Sequence, residues 1–115
     1  MAVNEAELER LAAELGAVLL RQGWLLAIAE SCTGGWLAQT VTSVAGSSTW
    51  FDRGFVTYSN AAKQDMLGVQ STTLEQFGAV SEETAREMAQ GVLLRSAAHL
   101  AIAITGIAGP GGGSA

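Results

Sequence analysis

Two short runs with no polar side chain, Trp24 to Ala29 and Leu100 to Ile104, constrain the fold of this chain most. Each is apolar at successive positions instead of alternating, which predicts strands covered on both faces, as in an α/β layer. The intervening segments carry helical spacing and helix caps. Asn4 caps a helix with Leu8, Leu11, Leu15, Val18 and Leu19 on one face and Glu7, Arg10, Glu14 and Arg21 on the other, ended by Gly23. Trp36 to Val44 is a short helix. Trp50 to Tyr58 is a strand, placed nearer a sheet edge because Asp52, Arg53 and Gly54 interrupt it. Asn60 caps a helix from Ala61 to Leu67, closed by Gly68, and Ser71 caps another from Thr72 to Phe77, closed by Gly78. Ser81 starts a longer helix, with Ala85, Met88, Ala89 and Val92 inward and Glu82 four residues before Arg86, expected to run to about Ala98. Helices separating the strands imply a parallel sheet with right-handed crossovers. The carboxyl ends of its strands, Ser31, Tyr58 and Thr105, then share the edge where such sheets bind ligands.

Length and charge narrow the function classes. The 115 residues make one domain, 1–115, of which 49% are hydrophobic and 15% charged, enough for a real core. A formal charge of −5 with no cluster of Lys or Arg argues against a nucleic-acid binder. The apolar runs fall far short of the ~20 residues that cross a bilayer, and the acidic N-terminus lacks the basic start of a signal peptide, so no membrane is implied and a cytoplasmic protein is expected. One cysteine and one histidine cannot make an internal disulfide or a zinc site, so no structural metal is expected.

The stretch from Ala29 to Trp36 is a strand-to-helix turn with a reactive side chain. Ser31 stands at the end of a buried strand, and the amides of Cys32, Thr33, Gly34 and Gly35 open the next helix, where unpaired N–H groups favour negative charge. Ser31 is either a nucleophile or only a capping serine; the Gly34-Gly35 pair, which lets a substrate approach the backbone, favours the first. Cys32 is a second nucleophile candidate, but the lone histidine, His99, precedes its strand and belongs at the opposite end of the sheet, so a packed small residue is the better reading. Lys63 is the only lysine. As the third residue of its helix it opposes the dipole, and it is either a surface cation or a partner of Ser31. The run after Thr105 is either a flexible tail or a nest of amides for phosphate; it is neither a P-loop nor a dinucleotide fingerprint.

Four motifs in order, Ala29-Glu30-Ser31-Cys32-Thr33-Gly34-Gly35, Gly54-Phe55-Val56-Thr57-Tyr58-Ser59-Asn60 with Lys63, Gly78-Ala79-Val80-Ser81 and Gly106-Ile107-Ala108-Gly109-Pro110, resemble the C-terminal domain of the competence/damage-inducible CinA family. The resemblance spans nearly everything from Trp24 onward. It implies a three-layer α/β/α sandwich on a mixed, mostly parallel five-stranded sheet. Stand-alone bacterial forms of the family are nicotinamide-nucleotide amidases of pyridine-nucleotide salvage. The implied reaction is hydrolysis of the carboxamide of nicotinamide mononucleotide to nicotinate mononucleotide and ammonia, without a cofactor. By position, Ser31 is implied as the nucleophile, Lys63 as its base and Tyr58 as the hydrogen-bonding partner between them. Thr105, Gly106, Gly109 and Gly111 match the ligand-lining loop, and Ser48 a further pocket position. A homo-oligomer is expected.

Similar proteins continue past the Gly-rich loop into two more strands and a helix, which this sequence lacks. The expectation is therefore that Leu100 to Ile104 is an uncovered apolar edge and that a basic residue from those elements is absent. The separate N-terminal domain of longer CinA proteins, with its pyrophosphatase activity, is not expected either. The alternative to an amidase is a non-catalytic nucleotide-binding or protein-interaction module, related to competence or the DNA-damage response, that uses the same pocket.

Overall fold

The computed structural model of the protein describes residues 4–107. Helix α1 (Glu5–Gln22) begins where the Asn4 side chain accepts from Glu7 N at 2.7 Å and ends at Gly23, whose left-handed φ of 68° returns its N–H to the last carbonyls. Strand β1 (Leu26–Glu30), helix α2 (Trp36–Thr42), a 3-10 turn (Ser47–Thr49) and strand β2 (Phe51–Val56) follow. Then come helices α3 (Asn60–Leu67), α4 (Ser71–Phe77) and α5 (Glu82–Leu94), and strand β3 (Leu100–Ile104). All pairings are parallel and the strand order is β2-β1-β3, so the first apolar run is the central strand.

Side chains alternate across β1 into two cores. Leu26 and Ile28 pack with Leu19, Val41 and Trp50 under α1 and α2. Ala27 and Ala29 pack with Leu67, Val69, Met88 and Val92 under α3 and α5. Helices thus cover both faces, which is why β1 has no polar side chain before Glu30. The three layers meet the expected α/β/α architecture. Strand β3 is half-buried along its whole length and pairs only with β1 among the described residues.

Several boundaries move. Strand β1 starts at Leu26, because Trp24 still belongs to the α1 cap, donating to Leu19 O at 2.9 Å. Helix α2 stops at Thr42 and β2 covers only Phe51–Val56. Opposite Leu26 and Ala27 of β1 the register slips, leaving Asp52 of β2 as an extra residue. Its carboxylate accepts from Arg53 Nε at 2.8 Å and Ala97 N at 3.2 Å, and the Arg53 contact, chiefly, holds it below the usual carboxylate range. Helix α3 is capped by Ser59, whose Oγ accepts from Ala62 N at 2.9 Å, so Asn60 is already helical and Lys63 is its fourth residue. Gln70, with no side-chain cap, precedes α4, and Ser71 lies inside it. Helix α5 begins at the expected Ser81 cap and carries the Arg86–Glu82 pair at 2.6 Å. It ends at Leu94, short of Ala98, where Arg95 caps and Ser96 Oγ donates back to Val92 O at 2.7 Å.

Helices α3 and α5 approach so closely that a Cβ on Gly91 would collide with the backbone of Leu67. That approach seats α3 against the sheet. Gly91→Ala should lower unfolding stability by about 1–3 kcal/mol through overpacking, read as a shifted urea midpoint at unchanged slope. An unshifted midpoint would mean that the two helices separate freely.

Candidate active site

Because the strands are parallel, their carboxyl ends open on one edge. Ser31 N donates to Ile104 O at 3.0 Å and Thr57 N donates to Glu30 O at 2.8 Å, so the residue before and the residue after the strand end are held from both sides. Ser31 follows Ala27 and Ala29 in alternation and faces the α3 side of the sheet. There the side chain of Lys63, 1% exposed, comes to meet it. Lys63 Nζ donates to Ser31 Oγ at 3.1 Å, to Thr57 O at 3.0 Å and to Tyr58 O at 3.1 Å. No carboxylate forms an ion pair with it among the described residues. Burial pushes its pKa below the ordinary lysine range, while the proximity of Cys32 opposes that shift. The cation's place in the first turn of α3, against the helix dipole, acts in the same direction as burial.

Around this pair lies a cleft of about 300 Å³, lined among others by Ser31, Cys32, Tyr58, Lys63, Thr105 and Gly106. Three of these, Ser31, Tyr58 and Thr105, were expected from strand ends, Cys32 and Lys63 were candidates from their own placement, and Gly106 came with the resemblance. Tyr58 is 72% exposed and its side chain makes no hydrogen bond among the described residues; the residue touches Lys63, and Ser31 Oγ at 3.5 Å, through its main-chain carbonyl. Thr105 Oγ1 is engaged with Ala79 O at 2.7 Å, which ties the loop after β3 to the one before α5. Gly106 approaches Cys32 so closely that a Cβ there would stand 3.2 Å from Sγ.

Not every candidate reaches the cleft. Thr33, Gly34 and Gly35 form the adjoining turn, with left-handed φ values of 60° at Gly34 and 113° at Gly35, and Thr33 faces an apolar groove between α1 and α2. Ser48 sits exposed on the 3-10 turn that precedes β2, at the opposite end of the sheet from Ser31. Gly109 and Gly111 lie outside the described residues. His99 is at the far end as expected, its Nδ1 accepting from Leu25 N at 3.0 Å.

Two parts of the site escaped sequence reading. The carbonyls of Thr57 and Tyr58 leave no signature in side-chain identity. Glu30 did leave one, a charge closing an otherwise apolar strand. It is 1% exposed, and its carboxylate accepts from Thr33 Oγ1 at 2.7 Å, Leu37 N at 2.8 Å and Ala38 N at 2.9 Å. The first amides of α2 are therefore occupied. Gly34 N is bonded to Ser31 O at 3.1 Å, leaving the amides of Cys32, Thr33 and Gly35 without an acceptor among the described residues. The anion pocket expected of Cys32 to Gly35 is thus narrower than the sequence suggested.

Known proteins resemble this chain in both sequence and fold. The family model described as CinA C-terminal domain matches residues 8–115. The nicotinamide-nucleotide amidohydrolase PncC of Enterobacter agglomerans is 58% identical over 113 residues, covering 98% of this chain and 69% of that protein. The Escherichia coli K12 protein of the same name is 53% identical over 112 residues, covering 97% and 68%. Among solved structures, the competence/damage-inducible protein CihA from Agrobacterium tumefaciens superposes with a TM-score of 0.91 at 53% identity, over 100% of this chain and 70% of that one. With sequence and fold in agreement, the chain belongs to the CinA C-terminal domain family.

Proposed function

We propose that the chain hydrolyses the carboxamide of a nicotinamide nucleotide, converting nicotinamide mononucleotide to nicotinate mononucleotide and ammonia. The observation that carries this reading is the 3.1 Å contact between Lys63 Nζ and Ser31 Oγ, buried and without a competing carboxylate among the described residues. The names of the PncC relatives supply the substrate class.

An amine can act as a base only when neutral. A neutral Lys63 keeps two N–H groups for the carbonyls of Thr57 and Tyr58 and turns its lone pair to Ser31. Ser31 Oγ then attacks the amide carbon as its proton passes to Nζ. The negative charge that develops on the carbonyl oxygen is met by the amide of Cys32, the member of the turn that lines the cleft and has no acceptor among the described residues. Collapse breaks the C–N bond, Lys63 returns the proton to the departing nitrogen, and ammonia leaves an acyl ester on Ser31. Water, deprotonated by the same amine, splits the ester and restores the serine. No step calls for a cofactor. Tyr58 acts here through its carbonyl, with the exposed ring as a wall of the cleft. The pocket contributions of Ser48, Gly109 and Gly111 and self-association belong to this reading by resemblance alone.

Ser31→Ala should abolish ammonia release, whereas Cys32→Ala should keep most of it, as measured by a coupled ammonia assay on nicotinamide mononucleotide. The reverse ranking would make the thiol the nucleophile.

Lys63→Arg keeps a cation but removes one that can lose its proton in the working range. Turnover should drop by roughly 10²- to 10⁴-fold, the usual worth of a general base, with nucleotide binding retained in calorimetry. The wild-type rate should fall as pH is lowered through the depressed Lys63 pKa, because protonation removes the base. A variant with near-normal turnover, or a flat acid limb, would place the base elsewhere.

A further inference from the structure

We propose that Glu30 is a positioning residue for the nucleophile turn, an inference that rests on the reading of Ser31 as the nucleophile. Its carboxylate is buried with no cation beside it among the described residues, and three donors satisfy it: one hydroxyl and two amides of the first turn of α2. A buried carboxylate is costly unless hydrogen-bonded, and a helix N-terminus is a favourable place for it. Capping alone does not explain the arrangement. The ordinary capping position is Gly35, which has no side-chain cap, and a Ser or Asp in that place commonly does the same work locally.

What Glu30 adds is a link between two rigid bodies. Its backbone is locked in the sheet, its O accepting from Thr57 N at 2.8 Å, and its side chain is locked to α2. Everything between these anchors, Ser31 to Trp36, is therefore a closed loop with fixed ends. The third bond, from Thr33 Oγ1, pins the middle of that loop. Since Ser31 and Glu30 alternate across the strand, the carboxylate pulls from the α2 face while Oγ meets Lys63 on the other. By occupying the amides of Leu37 and Ala38, the carboxylate also denies them to a reacting oxyanion. It leaves the amides of Cys32, Thr33 and Gly35, whose directions the closed loop sets, without an acceptor among the described residues, and of these Cys32 lines the cleft with Ser31.

The experiment compares wild type, Glu30→Gln and Thr33→Val. Three quantities are read: thermal midpoint, kcat and KM for ammonia release from nicotinamide mononucleotide, and the second-order rate of Ser31 labelling by a fluorophosphonate. Glu30→Gln keeps the shape and one acceptor oxygen but opposes an NH2 group to a backbone N–H. It should lower kcat by roughly 10- to 100-fold, the scale of a small misplacement of a reacting group, with KM within about twofold, and slow labelling by a similar factor. Thr33→Val should cost about fivefold in both, as for one lost hydrogen bond. A lowered midpoint with unchanged kcat and labelling in folded Glu30→Gln would show a cap and nothing more, and overturn the proposal. Should Glu30→Gln fail to fold, Thr33→Val decides by the same two rates. If the wild type is labelled but releases no ammonia, the hydrolysis reading fails while the labelling ratios still judge Glu30. If Ser31 is not labelled at all, there is no nucleophile to position and the proposal falls with it.

Discussion

An amine buried without a counter-ion is the constraint on which the rest of the site depends. Lys63 is reached by no carboxylate among the described residues, so the protein can hold its nitrogen only by surrounding it with neutral oxygens. Three are present, and they come from two different strand ends. As an ammonium, the group has three N–H bonds for three acceptors. As an amine, it has two N–H bonds for the two carbonyls and a lone pair for a hydroxyl that can donate. Both protonation states leave the nitrogen satisfied, which is what the proposed transfer of a proton to and from Ser31 would require. An aspartate in place of either carbonyl would hold the lysine charged and remove that freedom.

The fold serves this arrangement in a traceable order. Small side chains at Ala27 and Ala29 let α3 and α5 settle on the sheet, and Gly91 lets those two helices touch. The Ser59 cap fixes where α3 begins, and with it where the fourth helical residue points. On the other face, Gly16 gives room to the Trp50 ring, against which α1 packs beneath β1. Displacing either layer would move Lys63 or Ser31 relative to the other while leaving each side chain chemically intact.

Much of this was legible in the sequence because it is local. Asn4, Gly23 and Ser81 bound their helices where capping chemistry places them, and the run from Leu100 to Ile104 is the strand it resembles, residue for residue. Parallel pairing followed from the helices between strands, and the shared edge followed from parallel pairing. What was not legible is non-local or resides in the backbone. Ser59 and Asn60 are both competent caps by residue type, and the structure uses Ser59. The extra residue at Asp52 depends on pairing between strands. The charge of Glu30 was visible, but its partners on α2 required the turn to be closed. Tyr58 was read for its phenol and contributes its carbonyl to the Lys63 contact. Ser48, transferred by resemblance, lies at the other end of the sheet within this chain.

The burial of Lys63 also couples proton binding to the integrity of the fold. In the unfolded chain the amine titrates as an ordinary lysine; in the folded protein burial depresses it. Between those two values the unfolded state binds more protons, so unfolding is accompanied by proton uptake and stability rises with pH across that interval. Below the folded value the full penalty of burying the charge is present. Above the ordinary lysine value it vanishes. A calorimetric unfolding enthalpy measured inside the interval therefore contains the ionisation heat of the buffer, and differs between phosphate and an amine buffer at the same pH. The lysine that would make Ser31 reactive makes the fold itself a proton acceptor when it opens.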